Sequence, residues 1–451
     1  MPHSSLLTQQ CVIFVFIIDE PTSVVYAFSK TAHGTPNHKA NFPSSRREHL
    51  QDSPRQMFPP FNTEIPVPEA LFPAKTHGPV PLCSAMPCAT MRPMTISTPH
   101  ALALFSGGLD SILAARLVQE QGISVRCLHF VSPFFGKPQL VPHWEKTYGL
   151  SIETVDVGND YVRLLRQRPE HGFGKVMNPC VDCKILMMRR AGAILHERNA
   201  AFLISGEVIG QRPMSQRRDT LNVIRRDGDV RDLLLRPLSA LHLDPIAAER
   251  DGIVDRSRLL DFSGRGRRNQ LELARRMGIT EIPTPGGGCR LAEKENARRY
   301  WPVLTRIPEP SAADFELANI GRQFWTGNLW LALGRNAADN QALEEAMRPG
   351  DMLFRLRDFT GPLGLARPCA TAWDADSIRD AAALVASYSP RAVQHAAEHG
   401  GTAAVRVDVQ SGEGTVMEVV PARQTRLAWG MPDFQEVREA IREERIATFE
   451  E

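Results

Sequence analysis

Cysteine, aromatic residues and net charge are all scarce in this chain. Eight cysteines in 451 residues are too few for a disulfide scaffold, so a close Cys-x-x-Cys pair points to metal or redox use in a reducing compartment. A net charge of +2 names no partner, and the local distribution of charge has to be read instead. Long apolar runs are missing. Cys11–Ile18 is apolar, but Asp19-Glu20 ends it, and so short a run cannot span a bilayer. No basic region precedes it and no small-residue cleavage site follows, which argues against a signal peptide. The expectation is therefore a cytoplasmic protein with no membrane partner. Between Asn37 and Pro93 there is no sustained period, only proline, histidine, serine and arginine, the composition of disorder. Residues 1–97 read as a disordered leader or as a mis-called start, with Met91 or Met94 as the natural beginning. The rest is ordinary for a soluble chain, with 43% apolar and 23% charged residues. The length allows two or three domains.

The stretch around which the chain is organised is Ala101–Leu117, ALALFSGGLDSILAARL. An apolar run, Ala101–Phe105, predicts a buried strand, and Leu109, Ile112, Leu113 and Leu117 recur at helical spacing. Between them lie Ser106, Gly107, Gly108, Leu109, Asp110 and Ser111. Glycines let the backbone pass close to an anion, and the first N–H groups of a helix lack internal partners. No Gly-Lys-Ser/Thr follows, so this is not a Walker loop. Asp110 beside a polyphosphate makes sense if Mg²⁺ lies between them, or if the carboxylate orients the loop. The bland alternative is a serine-glycine turn without a ligand.

The block Ser-Gly-Gly-Leu-Asp-Ser resembles the PP-loop of ATP pyrophosphatases. That resemblance implies an α/β fold with a Rossmann-like parallel sheet of the adenine nucleotide alpha hydrolase type. It also implies ATP as co-substrate, cut between the α and β phosphates to adenylate a carbonyl oxygen. The pattern agrees with this fold. Apolar runs at Ile123–Phe130, Ile152–Val157 and Ala201–Ser205 alternate with helical patterns at Leu109–Gln121, Val141–Tyr148 and Cys183–Arg198. Ligands in such sheets sit at the carboxyl ends of the strands. Candidate nucleotide-binding residues there are Ser106, Gly107, Gly108, Asp110, Ser111, His129, Phe130, Ser205, Gly206, Glu207 and Gln211. A histidine at a strand end is also a common structural residue, and a polar loop capped by glycine is the plain reading of the second segment. Ser205–Gln216, SGEVIGQRPMSQ, and the later Arg236-Pro237-Leu238 resemble the 4-thiouridine synthases among the PP-loop enzymes.

Asn178-Pro179-Cys180-Val181-Asp182-Cys183-Lys184 places two thiols at a helix start, where the helix dipole lowers thiol pKa. A third thiol, Cys289, follows a glycine run in Pro283–Arg290, PTPGGGCR. The set resembles tRNA thiolation enzymes of the 2-thiouridylase, 2-thiocytidine and archaeal thiouridine types. It leaves three readings open: a [4Fe–4S] cluster on Cys180, Cys183 and Cys289, a persulfide or disulfide relay between Cys183 and Cys289, and structural zinc, for which no fourth ligand lies near in sequence. Cys11, Cys83, Cys88, Cys127 and Cys369 have no such context.

The span from Arg212 to Arg299 is arginine-rich, with Ser263–Gln270, SGRGRRNQ, the best candidate for contact with an RNA backbone. Solvated helix faces are the alternative for any one arginine. Pro308-Glu309-Pro310 marks a linker. Beyond it the patterns predict a smaller α+β domain, with Arg335, Arg355, Arg357 and Arg367 near its strands. Gly334-Arg335-Asn336, Asp339-Asn340, Pro349-Gly350-Asp351 and Gly361-Pro362 resemble the RNA-binding domain of NFACT proteins. The expected organisation is a catalytic domain over 98–307, an RNA-binding domain over 312–425 and a charged helix over 433–451.

Together the resemblances imply an ATP-dependent tRNA sulfurtransferase with Asp110, Cys183 and Cys289 as catalytic residues. Typical 4-thiouridine synthases carry a THUMP domain first and some a rhodanese domain last. Neither is legible here, which favours an external sulfur donor such as a cysteine desulfurase or sulfide. Two other readings remain: a PP-loop ligase delivering nitrogen, which needs no cysteines, and a non-catalytic RNA-binding protein with a vestigial ATP fold.

Overall fold

Five short apolar runs form a parallel sheet: β1 (Ala101–Leu104), β2 (Val125–Val131), β3 (Ser151–Asp156), β4 (Phe202–Ser205) and β5 (Leu234–Leu235). Their order is β3-β2-β1-β4-β5. The computed structural model describes residues 101–284, 288–411 and 414–450. The expected leader over residues 1–97 and the middle of the glycine run before Cys289 lie outside the described residues. Helices α1 (Leu109–Gln119), α2 (Val141–Tyr148), α3 (Gly158–Arg166), α4 (Cys180–Glu197), α5 (Arg218–Asp227), α6 (Ala247–Arg250) and α7 (Arg268–Arg276) accompany this sheet.

β1 is covered on both faces, as its unbroken apolar run requires. Side chains alternate along a strand. Ala101, Ala103 and Phe105 join one cluster with Leu109, Ile112, Trp144 and Leu273 from α1, α2 and α7. Leu102 and Leu104 join another with Ile185, Met188 and Ala191 of α4. The α/β architecture expected from the alternation of strands and helices is the one observed. Sequence reading missed β5, only two residues long, and α3 and α5, whose apolar stripes are narrow among charged residues.

Helices α8 (Lys294–Arg306) and α9 (Ala312–Asn319) lead into an antiparallel sheet. Its strands are β6 (Arg322–Thr326), β7 (Leu329–Leu333), β8 (Met352–Leu356), β9 (Gly364–Arg367), β10 (Val405–Gln410) and β11 (Thr415–Val419), in the order β11-β10-β8-β9-β7-β6. Helix α10 (Ala337–Glu345) follows β7, while α11 (Ala375–Ala386) and α12 (Pro390–Glu398) precede β10, and α13 (Phe434–Glu450) comes last. Among the described residues no helix is long and apolar enough to cross a membrane.

The linker expected at Pro308–Pro310 does not separate two hydrophobic cores. Phe134, Tyr161 and Leu165 from the first half pack in one cluster with Tyr300, Phe315, Trp330, Leu353, Val437 and Ile441. Each such buried side chain contributes about 1.5–3 kcal/mol. An ionic network lies beside them. Arg367, 5% exposed, donates to Asp314 Oδ1 at 3.0 Å and to Asp351 Oδ2 at 2.7 Å. Arg348 reaches the same Asp314 oxygen at 3.1 Å. Arg367 lies in β9, among the strands as expected, where it is buried and bonded to two carboxylates and to Ala346 O. Arg355 pairs with Glu344, and Arg357 with Asp408 at 2.6 Å.

Candidate active site

The order β3-β2-β1-β4-β5 reverses direction between β1 and β4, which is where a doubly wound sheet opens a crevice at its carboxyl edge. Leu104 lies opposite Ser205 in register, so the loops leaving the two strands emerge side by side. The loop after β1 folds on its own serines. The Ser111 hydroxyl donates to Gly108 O at 2.7 Å and accepts the Ser106 N–H at 3.3 Å. The Gly108 N–H points to the Ser106 hydroxyl at 3.4 Å. Gly108 is the N-cap of α1 and brings no side chain to satisfy the helix's first amides.

Two glycines are fixed by space. Gly107 has φ of +74°, and a Cβ there would stand 2.5 Å from the Trp144 ring. Gly206, after β4, comes so close to α1 that a Cβ would stand 2.5 Å from Asp110 O and 2.6 Å from Ser111 N. Trp144 packs edge-on against both Phe105 and His129, at 5.4 and 5.1 Å between ring centroids. It forms a floor that the sequence did not flag, since Trp144 sits in a helix with no motif.

Asp110 is the group under tension. Gln211 Nε2 donates to its Oδ2 at 3.1 Å, while its Oδ1 is buried without a hydrogen-bond partner. Burial pushes its pKa up, and the Gln211 amide, the charges of Arg267 and Arg212 and the nearby Gln270 amide only partly offset this. An acid raised in this way beside two arginines suits a site that receives both a cation and phosphates. The segment Ser263–Gln270 reaches the same place. Gly264 N–H donates to Ile209 O at 2.7 Å, and Gln270 is 1% exposed.

Several nominated residues do other work. His129 is 2% exposed. Its Nε2 accepts the Lys137 N–H at 2.9 Å, so Nδ1 carries the proton and donates to Phe105 O at 3.0 Å. Neither ring nitrogen remains for a nucleotide, and burial lowers its pKa. Phe130 lies in the core against α4. Ser205 accepts the Glu207 N–H at 3.3 Å. Glu207, read as a base or ribose ligand, is 2% exposed and accepts from Arg236 Nε at 3.0 Å. Lys184 Nζ stands 3.7 Å from its other oxygen. Burial pushes the Glu207 carboxyl up, but Lys184 and Arg236 together hold it below the usual range. It ties α4 to the β5 edge as a structural ion pair.

The three thiols converge. Cys183 and Cys289 pack on the cluster that holds Tyr161, and after burial the Cys183 sulfur is the next cause that raises the Cys289 pKa. Asn178 Nδ2 donates to Cys180 Sγ at 3.0 Å. The helix start was expected to acidify this pair. For Cys183 it does not: burial pushes its thiol up to about 11, outweighing the Tyr161 hydroxyl that faces its sulfur and the nearby Lys184. Burial likewise pushes Cys289 up to about 12. Among the described residues no group of three or more His, Cys, Asp or Glu side chains is arranged to hold a metal ion. Asp182, unflagged in sequence, accepts the His171 N–H at 3.2 Å and fastens the loop before α4.

Residues 97–254 match the sequence model of the family described as ThiI, thiamine biosynthesis protein. The tRNA sulfurtransferase of Desulfurococcus amylolyticus is 28% identical over 180 residues, covering 38% of this chain and 34% of its own. That of Marinobacter nauticus is 30% identical over 148 residues, covering 31% and 29%. The chain thus spans about a third of the length of these curated relatives. The solved structure of NMN synthetase from Francisella tularensis is 15% identical, covers 42% of this chain and 90% of its own, and has a TM-score of 0.22.

Proposed function

We propose that this chain is an ATP-dependent tRNA sulfurtransferase of the PP-loop type, acting in the cytoplasm. The observation that carries the reading is the packing of Gly206 onto the Asp110–Ser111 backbone. It sets the Ser205–Gln211 loop against the Ser106–Ser111 loop and leaves Asp110 Oδ1 unpartnered between them. The pyrophosphate moiety of ATP would lie on the uncapped amino end of α1, with Arg212 and Arg267 toward its outer oxygens. The orphaned Asp110 oxygen fits Mg²⁺, which keeps most of its ligands from water and phosphate. When bound, that ion supplies charge neutralisation at the leaving pyrophosphate. The residues themselves position the reactants, and oriented amides stabilise the charge that develops.

The cysteines fit a cluster less well. Three thiols lie close together, but no metal-holding group is arranged among the described residues, and two of the thiols are pushed up by burial. No step is therefore routed through iron. Cys183 instead takes the outer sulfur of a donor persulfide, releasing the donor as a thiol. The base's carbonyl oxygen attacks the α-phosphorus of ATP and pyrophosphate leaves. The terminal sulfur of the Cys183 persulfide then displaces AMP, forming a mixed disulfide with the base. The Cys289 thiolate attacks the Cys183 sulfur, which frees the thiolated base and leaves a Cys183–Cys289 disulfide for an external dithiol to reduce. The donor is external, a cysteine desulfurase persulfide, and the region over 312–425, NFACT-like in its motifs, holds the tRNA.

The test is pyrophosphate release and labelled-sulfur incorporation with unmodified tRNA. Asp110→Ala is expected to abolish both, and Cys183→Ser to abolish only incorporation. Full activity in Cys183→Ser would favour a nitrogen-delivering ligase. Iron and sulfide analysis after anaerobic purification is expected to find neither. About four irons per chain, lost in Cys289→Ser, would overturn the persulfide route.

A further inference from the structure

A second polar site lies at the far end of the chain from the ATP crevice in sequence. A cavity of about 360 Å³ opens beside the amino end of α10. Its walls include Arg322 of β6, Arg335 and Asn336 of the turn after β7, Gly361, and Tyr388 after α11. The floor is built rather than incidental. Asn340 Oδ1 accepts the Leu363 N–H at 3.0 Å, and Gly334 leaves room for that side chain, since a Cβ there would collide with it. The loop before β9 is thereby fastened to α10 whether or not a ligand is present.

The charge in this cavity is unbalanced. The Arg322 guanidinium, in the cavity wall, lies 5.0 Å from the Tyr388 ring centroid, and the Arg423 guanidinium, which does not line the cavity, lies 3.3 Å from the same centroid. Among the described residues neither arginine forms an ion pair. Asp339, the acid that Arg322 feels, is already held by Arg335 at 2.7 Å. Other arginines around this sheet are paired, Arg348 and Arg367 with Asp314, Arg357 with Asp408 and Arg406 with Asp358, while Arg306 and Arg379 bond to backbone oxygens. Both guanidiniums contact one tyrosine with no carboxylate among the described residues paired to either, and Arg322 is oriented by donating to Gly334 O at 3.3 Å, which leaves its remaining N–H donors for a phosphate. The helix amino end does not provide the charge, because Asn336 already caps it, accepting the Asp339 N–H at 2.9 Å. Arg335, Asn336 and Gly361 are exposed, so a strand entering the cavity can continue past it on both sides.

We propose that this cavity is a phosphodiester subsite for a single strand of RNA, held by Arg322 in its wall, with Arg423 on the ring of Tyr388 gripping the strand as it leaves. The proposal rests on the reading of tRNA as substrate and adds where the strand is gripped. A free nucleotide offers the same phosphate chemistry, and the experiment separates the two sources.

The full chain is titrated into fluorescein-labelled unmodified tRNA and into a labelled single-stranded oligonucleotide over a range of salt. AMP is used as competitor. Arg423→Gln and Arg322→Gln are each expected to weaken both RNAs about fivefold to tenfold, and each is expected to lower the salt slope by about 0.7–0.9. AMP is expected to compete only at millimolar concentration. Arg423 is exposed, so its variant keeps the fold and carries the test even if Arg322→Gln does not. Unchanged affinity and slope in Arg423→Gln overturns the subsite and leaves the sulfur-transfer reading standing. Micromolar competition by AMP overturns RNA as the occupant. A wild-type chain that binds no tRNA overturns both.

Discussion

Two corners of this molecule are built on one plan and finished in opposite ways. In each, a buried strand runs through a glycine turn into a helix: β1 through Ser106-Gly107-Gly108 into α1, and β7 through Gly334-Arg335-Asn336 into α10. At the first corner the N-cap is Gly108, with no side chain to bond the helix amides, and the nearby acid Asp110 keeps one oxygen orphaned. At the second, Asn336 caps the helix and Asp339 holds Arg335 at 2.7 Å. An end left unsatisfied is prepared for something that arrives; an end that satisfies itself is complete. The difference teaches that strand-glycine-helix does not by itself mark a phosphate site, and that the fate of the first amides decides.

The ion pairs beneath the corners give the largest expected contrast. Glu207→Gln leaves Arg236, 2% exposed, without its counter-charge, and should cost about 3–5 kcal/mol in urea unfolding. Asp339→Asn removes the half-buried partner of an exposed arginine and should cost less than about 1 kcal/mol. Similar costs for the two would break the comparison. The sign with pH follows from the lowered Glu207 carboxyl. Its stabilisation is present above the ordinary glutamate value of 4.5 and is lost as pH falls through the lower folded value. That part of the acid transition should vanish in Glu207→Gln.

A smaller effect concerns the thiols. With Cys183 pushed up to about 11 and Cys289 to about 12, both are protonated at neutral pH. Alkylation by iodoacetamide should rise about tenfold per pH unit from 7 to 9, because the thiolate is the nucleophile. A plateau near pH 7 would show that the helix start acidifies them after all.

The smallest effect sharpens the comparison most. Asn336→Ala should lose about 1 kcal/mol of stability. Gly108→Asn has room, since a Cβ there meets only Ser106 Oγ at 3.4 Å. It should gain a few tenths of a kcal/mol while weakening ATP binding, measured by calorimetry, because the new carboxamide occupies the amides the phosphates need. Unchanged ATP affinity would mean the α1 amino end is not where phosphate sits.

Much of the first corner was legible in the sequence because its requirements are local. The apolar run, the glycines and the helical period of Leu109, Ile112 and Leu113 lie within a few residues of one another. The parallel sheet followed from the alternation of elements. What stayed hidden depends on contacts distant in sequence. Trp144 under Gly107, Arg267 beside Asp110 and the Arg236 partner of Glu207 each come from another element. A sequence shows that a glutamate follows a strand. It does not show that burial and an arginine will claim it. His129 and Phe130 were nominated for their place at a strand end, yet such an end can face the core as readily as the crevice. The thiols were misjudged for the same reason. A helix dipole can be read from position, but desolvation depends on what packs around the sulfur, here residues from Tyr161 to Leu291.

That shared cluster has a consequence for how the protein is made. Cys183 and Cys289 rest on an apolar core whose members run to Val437 and Ile441 of the last helix. During synthesis the chain emerges from its amino end at about 5–20 residues per second, so the parallel sheet can close while later members of the core that covers the two cysteines are still unmade. The nascent protein therefore passes through a stage in which the crevice at the ends of β1 and β4 is assembled while Cys183 and Cys289 are still open to oxidants.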